Sequence, residues 1–181
     1  KAEASEIIVK MAQFHLYDAD IQISIDNNQH SLAISSLGIE RVHASQKDQR
    51  VGVILDAKLD DAPLTVSLSA QLQAGLGEIT SYVSLTDLEL GHFSALLPDE
   101  ITSLNGRLSA KSEQKVTITE NSTTVEMRQV DIKVEQLDLQ KDDIQVKFDK
   151  HRLLSNDVNI KLLPEHSPNI IAKATMEMDN F

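Results

Sequence analysis

The sequence predicts a mainly β fold, a long antiparallel meander of amphipathic strands. Three observations carry that prediction. Apolar residues recur at a period of two through most of the chain, with Val51, Val53, Leu55, Ala57 and Leu59 as the cleanest run. Turn chemistry, such as Asp60-Asp-Ala-Pro63, falls between alternating runs. Helix-period runs longer than about two turns are absent outside one segment, residues 92–104. Almost every strand then has an aliphatic side and a Ser/Thr/Gln/Lys/Asp side, a pattern that suits antiparallel sheets with one solvated face. The expected meander has roughly a dozen strands. A closed β-sandwich would use the same alternation and is the structural rival.

Taken in order, Ile7, Val9 and Met11 open a first strand, which Phe14 and Leu16 continue on the other phase. Ile21, Ile23 and Ile25 read as a second strand, closed by the polar turn Asp26-Asn-Asn-Gln29. Leu32 and Ile34 lead through Leu37 and Ile39 to Val42 and a polar tract, 45–50. The run from Val51 to Leu59 turns at Asp60-Asp61 into Leu64, Val66, Leu68, Ala70 and Leu72, the most secure hairpin of the chain. After Gly75 and Gly77 comes Val83-x-Leu85-x-x-Leu88-x-Leu90, whose one-residue phase shift predicts a β-bulge or bend. Phe93, Leu96 and Leu97 lie at helical spacing, Pro98 ends or kinks that turn, and Ile101 and Leu104 continue the apolar face. These five residues are the candidate cap of one end of the sheet. Asn105-Gly106 is either a turn or the opening of the strand Arg107–Lys111. Further strands run through Val116 and Ile118, from Val125 to Val134 with a phase change, from Ile144 to Phe148, and from Val158 to Leu162. A last strand is apolar through Ile170, Ala172, Ala174, Met176 and Met178.

Residues 1–181 read as a single domain with approximate internal repeats. The pattern around Leu88 returns as Ile132-x-Val134-x-x-Leu137-x-Leu139 and as Leu32-x-Ile34-x-x-Leu37-x-Ile39, so the markers 37, 88 and 137 are spaced 51 and 49 residues apart. A second echo sets Leu16-Tyr-Asp-Ala-Asp-Ile-Gln-Ile against Leu139-Gln-Lys-Asp-Asp-Ile-Gln-Val.

Composition narrows the function classes. The net charge of −11, with no Trp, four Phe and two Tyr, lacks both the cations and the stacking platforms that nucleic acid needs. Contact with anionic lipid would have to be apolar, because charge gives no attraction. The absence of cysteine excludes disulfides, thiolate catalysis and Cys-based zinc sites. The chain does not begin with Met and has no run long enough to span a bilayer, so Lys1 reads as the boundary of a piece of a longer protein.

No pattern points to catalysis. The histidines at 15, 30, 43, 92, 151 and 166 never fall at His-x-His or His-x-x-x-His spacing, and read as surface or strand-edge residues. Asp18/Asp20, Asp60-Asp61 and Asp142-Asp143 read as turn carboxylates, since no loop has the calcium order Asp-x-Asp-x-Asp-Gly. Gly75-Leu-Gly77 lacks the continuation of a phosphate loop, and no Gly-x-Ser-x-Gly occurs. The expectation is a non-enzyme with no catalytic residue, no cofactor and no metal.

Three segments, Val83-Ser-Leu-Thr-Asp-Leu-Glu-Leu90, Phe93-Ser-Ala-Leu-Leu-Pro98 and Leu104-Asn-Gly-Arg-Leu-Ser-Ala110, resemble the AsmA-like superfamily of Gram-negative bacteria, and within it a domain family of unknown function. The resemblance covers about two thirds of the chain. It implies a periplasmic segment of a protein anchored in the inner membrane, with strands curled into a taco-shaped groove along which phospholipid acyl chains move between the two membranes. It supplies no catalytic residues. Leu55, Leu68, Leu85, Leu108, Ile132 and Val146 are the candidate lining of that groove or, in the sandwich, of a core. The expected partners are phospholipid and adjoining segments of the same parent protein. The alternative function is a structural scaffold for outer-membrane biogenesis acting through sheet-edge contacts.

Overall fold

A computed structural model describes residues 8–25, 28–45, 47–96, 101–141, 144–162 and 169–179. Among the described residues nine strands follow one another: β1 (Val9–Ile25), β2 (Asn28–Ala44), β3 (Asp48–Leu59), β4 (Ala62–Gln73), β5 (Leu76–Glu89), β6 (Ile101–Thr119), β7 (Ser122–Lys141), β8 (Ile144–Leu162) and β9 (Asn169–Asp179). One 310 segment among the described residues, Leu90–Leu96, sits between β5 and β6. Each strand pairs antiparallel with its sequence neighbours, so the sheet order is the chain order and β1 and β9 are its two open edges. Strands pack against those neighbours, and the 310 segment lies on β6 and β2. The sandwich rival therefore fails, because two packed layers would bury an inner face, whereas the strands form one sheet in chain order and no described side chain is fully buried. The fold is the amphipathic meander, laid out as one open, curved sheet.

Strands are fewer and longer than alternation alone suggests, because the chain passes through its phase changes without leaving the sheet. A bulge supplies the extra residue that restores the apolar phase. The ladder between β5 and β6 shifts between Leu85 and Leu88, where Asp87 has a φ of 53°, as the Val83–Leu90 pattern predicts. The two echoes of that pattern carry the same device. The β2–β3 ladder shifts between Ile34 and Ser36, and the β6–β7 ladder shifts opposite Gln136, whose φ is 52°. Where the sequence reads apolar-x-apolar-x-x-apolar-x-apolar, the two-residue gap is the bulge.

Two of the tight turns follow the twist rule of hairpins. Asp60 and Asp61 both have positive φ, 47° and 68°, as do Ala74 and Gly75, 50° and 80°. Such pairs match the right-handed twist of the strands they join, and Asp adopts this region more readily than most residues with a Cβ. The expected hairpin is there in full register, from Asp48 opposite Gln73 to Leu59 opposite Ala62. Asn105-Gly106, by contrast, lies inside β6. Gly106 has a φ of 136°, and a Cβ there would come within 3.1 Å of both the Glu135 carbonyl and the Leu137 Cα. It is the residue that lets β6 lie against the β7 bulge.

The helical segment expected over residues 92–104 is shorter and earlier, ending at Leu96. Ile101 opens β6, and Leu104 pairs with Leu139 of β7. The sequence Ile101-Thr-Ser supplies β-branched residues, and the waiting β7 edge gives them ladder partners that a short isolated helix would lack. Leu97 and Pro98 lie outside the described residues.

Candidate functional site: an aliphatic sheet face

Residues directly opposite in a ladder share a face, and residues two apart on an unbroken strand do too. Applied across the registers, these rules put all six candidate lining residues on one side. Leu55 stands opposite Leu37 and Val66, and Leu68 opposite Val53. Leu85 stands between Leu64 and Ala110, and Leu108 between Leu88 and Val134. Ile132 lies between Ala110 and Leu153, while Val146 is opposite Leu139, past the bulge at Gln136. The surface continues to the β1 edge through Leu16 opposite Leu37 and Phe14 opposite Ile39.

No described side chain is fully buried, although Ile34, Ala57, Ala62 and Leu88 are nearly so. Leu55, Leu68, Leu85, Leu108 and Ile132 are half-buried, shielded by neighbours on their own sheet, and Val146 is 43% exposed. None lies in a closed interior. The opposite side carries Asp56, Lys58, Ser69, Gln71, Thr80 and Lys111, all exposed. A hollow of about 430 Å³ lies on this polar side, where Gly52, Ser67, Ser69 and Thr80 are short beside Arg41, Tyr82 and Lys115. It reflects side-chain length, and its rim is of mixed charge.

One end of the aliphatic face is closed by a polar knot. His30 opposes Ile23, so it stands in the apolar phase of β2, and it is only 3% exposed. This corrects the expectation of a surface histidine. Its Nδ1 is 2.6 Å from Asp60 Oδ2, and Asp60 Oδ1 accepts the Ser31 N–H at 2.7 Å. The tight β3–β4 turn is what aims Asp60 back at β2, and the Asp60 N–H donates to the Ser31 carbonyl at 2.9 Å. Burial pushes the Asp60 carboxyl up. The hydrogen bonds from His30 and Ser31 and the charges of His30 and His92 more than offset that, and hold it below the ordinary aspartate value. The 310 segment rests on this knot, with Phe93 stacked on the His30 ring at 4.7 Å between centroids and His92 Nδ1 3.9 Å from Asp60 Oδ2.

Of the five candidate cap residues, Phe93 stacks on His30 at the end of the face, and Leu104 belongs to the sheet itself. Leu96 ends the 310 segment and Ile101 starts β6, while Leu97 is outside the described residues. His30 and Asp60 are the pair that sequence reasoning missed. The available signal was a histidine standing in phase with Leu32 and Ile34. A second buttress lies on the polar side, where Arg152 donates to both Asp131 oxygens at 2.9 and 2.7 Å. That fork chiefly holds the Asp131 carboxyl below its usual range.

Among the described residues, no three of His, Asp and Glu are placed to hold a metal ion, and no helix is long and apolar enough to cross a membrane. No family model, curated protein or solved structure matches the chain.

Proposed function

We propose that the chain is a non-enzymatic lipid-handling module, whose aliphatic face binds or conducts phospholipid acyl chains. The observation that supports this reading is a Leu/Ile/Val/Ala surface crossing one open sheet, broken by Ser81, Ser112 and Gln114, on which no described side chain is fully buried. Exposed apolar area on this scale marks a binding surface in a protein that stays in solution. Its chemistry suits a saturated chain, since each methylene removed from water contributes about 0.8 kcal/mol and needs no directional partner. The face offers few aromatic rings, and a protein of net charge −11 has no general attraction for anionic headgroups. In the setting implied by the AsmA-like resemblance, the module is a periplasmic stretch of a parent protein anchored in the inner membrane. It would pass lipid toward the outer membrane.

Native mass spectrometry after mild extraction from a Gram-negative expression host tests the reading. Phospholipid should accompany the wild-type chain, and Leu68→Asp with Leu85→Asp should remove it while the β-sheet circular dichroism stays. A wild-type chain free of lipid under conditions that preserve a known lipid carrier sinks the proposal.

A further inference from the structure

We propose that β1 is the seam of a homodimer, in which two copies pair β1 antiparallel with His15 opposite its own symmetry mate. Several devices that block pairing at an edge, such as a Pro, a central Lys or an extreme shortness, are absent from β1. The outer edge of β1 is 17 residues long, has no Pro, and has its one Lys near an end. Its apolar side is open, with Val9 at 53%, Phe14 at 45% and Ile21 at 45% exposure.

The occupant follows from where β1 changes phase. Its aliphatic face runs through Val9 and Met11, then Phe14 and Leu16, then Ala19, Ile21 and Ile23, read from their partners on β2. The breaks fall at Ala12 and Asp18, three residues to either side of His15. In the β1–β2 ladder each break sets a positive-φ residue against a small one: Arg41 (53°) across from Ala12, and Asp18 (51°) across from Ser35. A second β1 centred on His15 repeats that arrangement, with Asp18 of each copy across from Ala12 of the other. Every aliphatic residue then stays on one side, Val9 meeting Ile21 and Phe14 meeting Leu16. On the polar side Lys10 meets Asp20 at both ends of the seam. Among the described residues neither has an ion-pair partner within its own chain. The other edge is a poorer match, because β9 alternates without a break from Ile170 to Met178 and would need register shifts against β1. An isologous pair closes after two subunits, whereas β1 on β9 would propagate. The seam stands independently of any lipid ligand.

Sedimentation equilibrium on the 181-residue chain reads the outcome. The wild type should be dimeric. Lys10→Glu or Asp20→Lys alone sets like charges opposite each other at both ends, and should weaken the dimer by about tenfold or more. The double variant should restore it. Directly opposite Cα atoms lie about 4.5–5.5 Å apart, inside the range a disulfide spans. In a chain without cysteine, oxidised His15→Cys should therefore give a covalent dimer and Tyr17→Cys should not. Circular dichroism confirms that each variant folds. A monomer at every concentration, an open-ended oligomer, a dimer indifferent to both charge changes, or equal cross-linking at positions 15 and 17 would each overturn the seam.

Discussion

Asp60 carries more of the structure than its place in a two-residue turn suggests. It fixes the β3–β4 turn, satisfies the Ser31 N–H and anchors His30 beneath Phe93. Asp60→Asn keeps the shape and tolerates the positive φ, but gives up the charge-assisted bonds. We expect a loss of about 1.5–3 kcal/mol near neutral pH in denaturant titrations. The carboxyl is depressed in the folded state, so its contribution is full above the unfolded value, near 3.8, and is lost as pH falls through the lower folded value. The gap between wild type and variant should therefore close in strong acid. Glycine supplies a second residue-scale contrast. Gly75→Ala meets nothing within 4 Å and should cost only the left-handed backbone penalty, about 1–2 kcal/mol. Gly106→Ala adds contacts at 3.1 Å to the β7 backbone, and its midpoint in urea should fall further. At this scale the sequence was least legible. His30 and Asp60 are thirty positions apart in the chain, and only the β2–β3 register brings them together.

Strands were legible wherever alternation was unbroken, as in the β3–β4 hairpin. They were misdivided wherever a bulge changed the phase. Periodicity cannot distinguish a strand that ends from a strand that slips one residue, since both look like a lost beat. The ladder partner decides, and it lies elsewhere in the chain. The repeated gap pattern was nonetheless a direct sign of the bulges near Ile34, Leu85 and Val134. The 310 segment was misjudged at its C-terminal side because Ile101 and Leu104 fit an amphipathic helix as well as a strand. Its N-terminal half places Phe93 on the His30 ring, where a cap would sit. Phe93→Ser should lower stability by roughly 1.5 kcal/mol or more, and raise the fluorescence of an apolar dye at the uncovered end. Unchanged melting and unchanged dye binding would show that the segment is a solvated connection.

Across the whole molecule, the amphipathic pattern was legible but its meaning was not. One aliphatic face suits a sandwich core and an open sheet alike, and what separates them is which strands touch. Here the ladders run in chain order through one sheet, and no described side chain on the face is fully buried. The central claim is that this face, and not the polar one, receives acyl chains. Adjacent positions on β4 separate the two sides, because Leu68 stands on the aliphatic face opposite Val53 while Ser69 stands on the polar face opposite Gly52. A photoreactive side chain placed at either position, in chain mixed with phospholipid carrying radiolabelled acyl tails, reports the side directly. Labelled lipid should attach at position 68 and not at position 69; equal labelling at both, or attachment at 69 alone, would contradict the account.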